Sequence, residues 1–384
     1  MIGVQKICSR CILDLTVPNI RFDESGVCNY CKIHDILEKQ YPLNEIGQRK
    51  FKQLIEKIKI DGKGKEYDCV VGVSGGLDSS YTLYLTKKLG LRPLAVHLDN
   101  NWDSEIAINN IKKLTKKLDV DLRIITVDWE EFKDLQLAFL KVSTPDVEIP
   151  TDIAIQATLY KVAAEEGVRY VIDGHSFRTE GVAPLMWMYA DGRYIESVYK
   201  RFGKNKKLQN YPNLTISKLL YYVFVKKIRF ISLLEYTDYR KEKAKKILKE
   251  EVGWEDYGVK HYESVYTRFI QSYLLPKKFN IDKRKVYFSA LIRSGQMTRE
   301  EALEKIKEPP ISKEQAEEDK KYILKKLELT EEEFEEIMRL PPKVFLDYPT
   351  YYPVIRTLKR PIKLACKLGL LPYTFYAKYL GWNE

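Results

Sequence analysis

The segment from Val70 to Ser80, VVGVSGGLDSS, constrains the fold more than any other part of the sequence. The apolar run at its start is typical of a buried strand, and the leucine spacing that follows predicts a helix. Two glycines in between let backbone N–H groups approach phosphate oxygens, and the helix N-terminus adds the positive end of a dipole. Asp78 would repel a bare phosphate, so the loop predicts a bridging cation, most simply Mg²⁺.

Strands and helices alternate on both sides of this loop. Apolar runs predict strands at 67–73, 93–98, 122–127 and 170–172, with helical patterns at about 79–90, 103–118, 130–141 and 152–166. This alternation predicts an α/β fold, in which a parallel sheet is covered by helices on both faces. Ligands of such sheets bind at the carboxyl ends of the strands, where the glycine loop lies.

The pattern divides the chain into three regions. Residues 1–50 are expected to form a cysteine-bearing ribbon and a connector, and residues 51–205 the α/β domain. Residues 206–384 are mainly helical in pattern and are expected to form a substrate or partner region.

Four of the six cysteines lie near the N-terminus. Cys8 and Cys11 form one pair, and Cys28 and Cys31 form a second pair 16 residues further on. In a reducing compartment this spacing is typical of a structural site for Zn²⁺, because each pair can direct two thiolates at one ion. An iron–sulfur cluster also takes four thiolates and is the alternative.

Composition limits the partners. The chain has 384 residues, 45% of them hydrophobic, and a formal net charge of +11, which favours nucleic acid, membrane lipid or a phosphorylated small molecule. No secretory signal and no uncharged apolar run of about 18 residues is evident, so we expect a cytoplasmic protein without a transmembrane segment. The most apolar stretch, 219–234, is interrupted by lysines and predicts a core or interface helix, with a membrane-surface helix as the alternative.

The glycine loop resembles the pyrophosphate loop, SGGxDS, of the ATP pyrophosphatases. Its matching positions imply that ATP is bound by Ser74, Gly75, Gly76, Asp78, Ser79 and Ser80. The superfamily includes asparagine, GMP and NAD synthetases and tRNA-thiolating enzymes, which release AMP and pyrophosphate. By the same resemblance Asp99, at the end of the second strand, is expected near the adenine. A Walker A loop is excluded, because the lysine that it requires is missing.

Three segments, 8–31, 172–181 and 258–303, resemble the N-acetyl sugar amidotransferases of surface-polysaccharide biosynthesis. The resemblance implies an ATP-dependent enzyme that converts the acetamido group of a nucleotide-activated sugar into an acetamidino group. AMP transferred to the amide oxygen becomes the leaving group, and ammonia then attacks the carbon.

Candidate catalytic side chains come from the glycine loop and from two of these segments. Asp78 would act through Mg²⁺, and Lys283 and Arg284 would stabilise the transition state as cations. His261, Glu263 or His175 would take a proton from ammonia. The alternative for residues 260–284 is a solvated basic helix face.

Ammonia is mostly protonated at neutral pH, so such enzymes usually draw it from glutamine. Cys69 lies within a predicted strand and Cys366 in a helical core pattern, and neither has the setting of a glutaminase nucleophile. We therefore expect a separate glutaminase subunit.

Two other functions compete with this interpretation. A tRNA-thiolating enzyme would use the positive charge to bind tRNA phosphates, but such enzymes commonly need reactive cysteines, and only two remain outside the ribbon. A non-enzymatic zinc-ribbon module would not need the intact glycine loop. We accordingly expect no nucleic acid partner.

Overall fold

The computed structural model describes residues 6–258, 263–367 and 373–381 of the chain. Two antiparallel bridges, Ile7 with Asp14 and Phe22 with Cys28, shape the N-terminal ribbon. Two helices follow it, α1 (Asn29–Gln40) and α2 (Glu45–Asp61). Asn44 begins α2 by accepting hydrogen bonds from the N–H groups of Ile46 and Gly47.

The central sheet of the described chain has five parallel strands. They are β1 (Cys69–Gly72), β2 (Pro93–Asp99), β3 (Leu122–Thr126), β4 (Tyr170–Asp173) and β5 (Arg229–Ser232), in the order β3-β2-β1-β4-β5. The helices that connect the first four are α3 (Leu77–Lys88), α4 (Glu105–Leu118), α5 (Trp129–Val142) and α6 (Ile149–Glu165). All neighbouring strands pair in parallel, so the prediction of a parallel sheet covered on both faces is confirmed.

The two faces of the sheet belong to separate cores because side chains alternate along each strand. Val71 and Ile172 point into one core with residues of α2, α3 and α4. Val70 and Val171 point into the other, which contains residues of α5 and α6 and extends into the ribbon.

The chain after β4 is mainly helical, which the sequence predicts for residues 206–384. Its helices are α7 (Phe177–Glu180), α8 (Gly192–Phe202), α9 (Ile216–Leu220), α10 (Lys241–Val252), α11 (Val265–Phe269), α12 (Leu275–Phe279), α13 (Arg284–Arg293), α14 (Arg299–Lys305), α15 (Lys313–Leu327), α16 (Glu331–Arg339), α17 (Tyr352–Thr357), α18 (Lys359–Lys367) and α19 (Tyr373–Tyr379). Wider π-helical turns at Tyr221–Val225 and Ile270–Leu274 continue α9 and α11.

The stretch 219–234 does not form one helix. It contains the end of α9, a π-helical turn and β5, which extends the sheet beyond residue 205. The sequence LLYYVFVKKIRFISLL shows no boundary between helix and strand, because tyrosine, valine and phenylalanine are compatible with both. Within the described residues no helix combines the length and apolarity that a membrane span requires.

Candidate active site

A cavity of about 510 Å³ opens at the carboxyl ends of β1, β2 and β4. From β1 the chain continues to β2 on one side of the sheet, and from β4 it continues to β5 on the other side. Parallel α/β sheets bind ligands at a point where the strand order reverses in this way. Its wall brings together parts of the chain that are distant in sequence, including Ser74, Ser79, His175, Glu263 and Lys283.

The loop after β1 has a shape that only glycine allows. Gly75 adopts a φ of +75°, and a Cβ there would lie 2.2 Å from the carbonyl oxygen of Ala107 in α4. The Gly75 carbonyl accepts hydrogen bonds from Asn110 Nδ2 at 3.3 Å and Trp254 Nε1 at 3.1 Å. These contacts fix the loop before any ligand binds.

Serine hydroxyls hold the loop to the first turn of α3. The Ser74 N–H donates to Ser79 Oγ at 3.1 Å, and the two hydroxyl oxygens are also 3.1 Å apart. The Leu77 N–H donates to the hydroxyl of Tyr257 at 3.1 Å. The carboxylate of Asp78 accepts a hydrogen bond from the hydroxyl of Tyr239, which follows β5.

The loop after β4 packs directly against the start of α3. A Cβ on Gly174 would come within 2.9 Å of the Ser79 nitrogen, so only glycine permits this approach. The contact places Asp173 and His175 beside the pyrophosphate loop, and both line the cavity.

His175 is surrounded by carboxylates. Its Nδ1 lies in hydrogen-bond contact with Glu180. Loss of bulk water in the cavity would by itself lower the pKa of His175, but Glu180, Glu235 and Asp173 raise it to about 9. Burial raises the pKa of Glu235 to about 7. At neutral pH His175 is therefore an imidazolium, which suits it to bind an anion and not to act as a base.

The far side of the cavity carries buried charges. Lys283 Nζ lies 2.9 Å from Glu148 Oε2 at the start of α6, and both side chains are only 13% exposed. Burial by itself would lower the pKa of Lys283, but Glu148 and its neighbours raise it above its ordinary value. Lys378 of α19 lines the same side, and burial lowers its pKa to about 8.

Apolar side chains form part of the cavity wall near the pyrophosphate loop. They include Val96 and Leu98 of β2 and Leu159 of α6. Nearby, the buried ring of His97 contacts the Val73 carbonyl through Nδ1 at 2.9 Å and Asp103 through Nε2 at 3.2 Å. Apolar side chains of this kind suit the ring of a purine.

Several predicted site residues lie elsewhere. Arg284 is not among the residues that line the cavity; its guanidinium binds Asp282 and donates to the carbonyls of Ile306 and Glu308. Its predicted catalytic role is therefore withdrawn, because these partners use the guanidinium to hold α14 in place. His261 lies outside the described residues.

Three more predicted ligands of ATP are set back from the cavity. Ser80 is fully buried in the first turn of α3. Asp99 accepts the N–H of Asn101 and is not part of the cavity wall. Asp78 is also absent from that wall, although its neighbour Ser79 is present.

The four N-terminal cysteines are fully buried and close together. The sulfur pairs Cys8–Cys31, Cys11–Cys28 and Cys28–Cys31 are separated by 3.9, 3.8 and 3.7 Å. Four sulfurs at about 2.3 Å from one tetrahedral ion would be roughly 3.8 Å apart. The cluster therefore fits a single metal ion, whereas a multi-iron cluster would hold the thiolates further apart.

The ribbon is joined to the rest of the site by polar contacts. Arg299 donates to the carbonyls of Cys8 and Cys11 at 3.1 and 3.2 Å. At the end of α1, Glu38 accepts two hydrogen bonds of 2.8 Å from Arg178, two residues before Glu180. The ribbon thus supports the loop that carries His175.

Sequence reasoning missed several residues of the site: Glu148, Asp152, Glu235, Tyr239, Trp254, Tyr257 and Lys378. They come from helices and loops without a recognisable motif. Glu148, Asp152 and Lys378 line the cavity. Tyr239, Trp254 and Tyr257 hold the pyrophosphate loop, and Glu235 acts on His175. The clearest available signal was the position of Glu148 and Asp152 at the start of α6, where Glu148 is the N-cap residue and Asp152 lies in the first turn.

Two family models match this chain. Residues 68–157 match the family described as queuosine biosynthesis protein QueC, and residues 263–361 match the family described as LPS biosynthesis protein WbpG-like, C-terminal domain. The first match includes the pyrophosphate loop, and the second includes Glu263 and Lys283.

Individual proteins give more distant likenesses. The uncharacterized protein MJ1599 of Methanocaldococcus jannaschii is 31% identical over 173 residues, which are 44% of this chain and 58% of that protein. The tRNA-specific 2-thiouridylase MnmA of Clostridioides difficile is 26% identical over 200 residues, which are 47% of this chain and 50% of that enzyme. The chain spans about half the length of the curated relatives it matches.

Among solved structures, a predicted subunit of tRNA methyltransferase from Methanocaldococcus jannaschii aligns with 16% identity and a TM-score of 0.30. The alignment covers 56% of this chain and 90% of that one.

The sheet, the loop and the family match together define a domain of the PP-loop ATP pyrophosphatase type in the N-terminal half of the chain. More particularly, the chain joins a domain of this type to a WbpG-like C-terminal domain, whose family description is LPS biosynthesis. To this extent the resemblance seen in the sequence is confirmed.

Proposed function

We propose that this protein is an ATP-dependent amidotransferase that converts the acetamido group of a nucleotide-activated sugar into an acetamidino group. The reaction releases AMP and pyrophosphate, and a separate glutaminase supplies the ammonia. One observation carries the proposal. The pyrophosphate loop and the WbpG-like domain, matched by separate families, line the same cavity.

ATP is proposed to bind with its adenine against the apolar part of the cavity wall at Leu98 and with its β- and γ-phosphates on residues 74–79. The loop N–H groups and the His175 imidazolium supply positive charge there. Mg²⁺ is typically held by one or two carboxylates together with the phosphates. Asp173 lines the cavity, and Asp78 directly precedes Ser79, which also lines it, so these two carboxylates suit that role. The metal would stabilise the negative charge that develops on the leaving pyrophosphate.

The sugar is proposed to occupy the far side of the cavity, between Glu148, Lys283 and Lys378. Its amide oxygen attacks the α-phosphorus of ATP, and the bond to pyrophosphate breaks. Ammonia then attacks the amide carbon, and AMP leaves with the former amide oxygen. Glu263 suits the base that accepts the ammonia proton, because its side chain approaches Gly76 at the cavity wall.

Zn²⁺ is proposed for the four-cysteine cluster, in a structural role. All four donors are buried thiolates at tetrahedral separations, so no position is left for a substrate.

The experiment that tests this function is a panel of UDP- and CMP-linked acetamido sugars, each incubated with ATP, Mg²⁺ and an ammonium salt. AMP should form with at least one of them and be accompanied by an amidine product in the mass spectrum. A tRNA-thiolating activity, which the MnmA likeness keeps as the alternative, would instead give AMP only with tRNA and a sulfur donor.

A further inference from the structure

The segment 216–229 presents apolar side chains to solvent where polar ones are expected. Phe224 and Val225 are 70% and 66% exposed. Ile216, Leu220 and Tyr221 are between 42% and 47% exposed. We call these five residues the apolar patch. They make up a quarter of the large exposed hydrophobic side chains of the described chain, concentrated in ten consecutive positions.

The patch is the outer face of a well-anchored element. Leu219, Tyr222 and Val223 of the same segment pack against the core, and the Tyr222 ring stacks on Tyr160 of α6 at 5.3 Å. The π-helical turn Tyr221–Val225 continues α9, with Tyr222 and Val223 on the packed face and Phe224 and Val225 on the exposed face. The exposure of the patch is therefore a property of a packed helix and not of a loose loop.

Basic residues surround the patch. Lys218, Lys226, Lys227 and Arg229 are all exposed. From residue 197 to residue 234 the sequence has nine lysines and arginines and no acidic residue. A second stretch, 348–383, has six basic residues and no acidic residue, and in it Val354, Leu358 and Leu364 are about half exposed. Together the two stretches exceed the net charge of +11, so the remainder of the chain is net acidic.

We propose that the apolar patch and its lysines bind the surface of a bilayer that contains anionic lipid. Exposed aromatic and aliphatic tips flanked by lysines match the chemistry of a lipid headgroup boundary. A protein interface is usually depleted of lysine. Single-stranded nucleic acid binds by stacking its bases on aromatic rings, and exposed isoleucine, leucine and valine contribute little to such binding. This surface is independent of the proposed reaction, since none of its residues lines the cavity.

The test is sedimentation of the full chain with vesicles of phosphatidylcholine alone or with added phosphatidylglycerol. The protein should sediment with the anionic vesicles and be released by salt. The Phe224→Ser/Val225→Ser and Lys226→Glu/Lys227→Glu variants should each bind about ten-fold more weakly. Ile60→Ser is the matched control, because Ile60 is 71% exposed on α2 and its removal should change nothing.

Thermal melting and AMP formation on the soluble sugar nucleotide should be unchanged in all three variants. The proposal is overturned if the wild type stays in the supernatant with anionic vesicles, or if the patch variants bind them as well as the wild type does. It is equally overturned if the patch variants keep lipid binding but lose binding to RNA or to the glutaminase, which would assign the surface to that partner.

Discussion

The hydroxyl of Tyr239 donates a hydrogen bond to the carboxylate of Asp78. This contact joins the segment after β5 to the start of α3, 161 positions earlier in the sequence. Tyr239 is almost fully buried, so the carboxylate is held in one orientation by a rigid neighbour. The pyrophosphate loop is thus supported from the second half of the chain.

The first prediction concerns this pair. Asp78→Asn removes the charge proposed to act through Mg²⁺, and pyrophosphate release should fall by roughly a hundred-fold or more. Tyr239→Phe leaves the charge but removes this hydrogen bond, and should lower turnover by about ten-fold. Tyr84→Phe is the control. It removes a tyrosine hydroxyl from the same helix, but that hydroxyl contacts Glu251 of α10. Wild-type turnover in Asp78→Asn would refute the assignment.

The second prediction is a pH dependence set by His175. Its pKa is raised from 6.5 to about 9, so the imidazolium persists at neutral pH and is lost as the pH rises through about 9. The contribution of its carboxylate partners to the free energy of unfolding is fully present below about pH 6.5 and is lost as the pH rises through about 9. We expect the KM for ATP to rise above about pH 9 and the rise to be absent in His175→Asn.

This dependence is best measured by exchange of labelled pyrophosphate into ATP with sugar present and ammonia omitted. That choice removes the separate effect of pH on ammonia itself. A wild-type KM that stays constant through pH 9 would show that His175 does not contact the phosphates.

The third prediction compares two neighbouring cations. Lys283→Met should abolish activity and lower stability by about 3 kcal/mol, because Glu148 is left buried without its ion pair. The double variant with Glu148→Gln should recover stability but not activity. Arg284→Met should retain activity, because its guanidinium binds Asp282 and the end of α14. Denaturant unfolding and AMP formation measure both effects, and an inactive but stable Arg284→Met would reverse our assignment.

The fourth prediction concerns the metal. Elemental analysis should give about one zinc per chain, and Cys31→Ser should lose it together with much of the thermal stability. Cys69→Ala, at a buried cysteine in β1, should keep the zinc. Iron with sulfide, or a purified protein without metal, would contradict the zinc proposal.

The fifth prediction concerns the nitrogen source. Cys69 and Cys366 are buried, and burial raises the pKa of each thiol, so neither suits a glutaminase nucleophile. The isolated chain should therefore use ammonium salts, more effectively at alkaline pH, and use glutamine only after its cognate glutaminase is added. Efficient use of glutamine by the chain alone would reveal a hydrolytic site that we have missed.

Local patterns account for what could be predicted from the sequence. The first four strands and the glycine loop follow from apolar runs and turn residues, which act over a few positions. The cysteine cluster follows from spacing alone. The strand β5 could not be predicted, because only pairing with β4 decides that residues 229–232 are extended.

The composition of the cavity wall depended on contacts over longer distances. Lys283 and Arg284 are adjacent and chemically similar, yet one faces Glu148 inside the cavity and the other holds α14. Nothing in the sequence distinguishes them, because the direction of each side chain is set by the helix against which it packs. Likewise, the sequence suggests that His175 could be a base, but the surrounding carboxylates raise its pKa.

The most direct test of the central claim follows the amide oxygen. Acetamido sugar nucleotides with a heavy-oxygen label in the acetyl carbonyl are incubated with ATP, Mg²⁺ and ammonium, and the products are analysed by mass spectrometry. Transfer of AMP to that oxygen predicts that the label appears in AMP and is absent from pyrophosphate. Unlabelled AMP, label in inorganic phosphate, or AMP formation that requires tRNA and not the sugar would contradict the account.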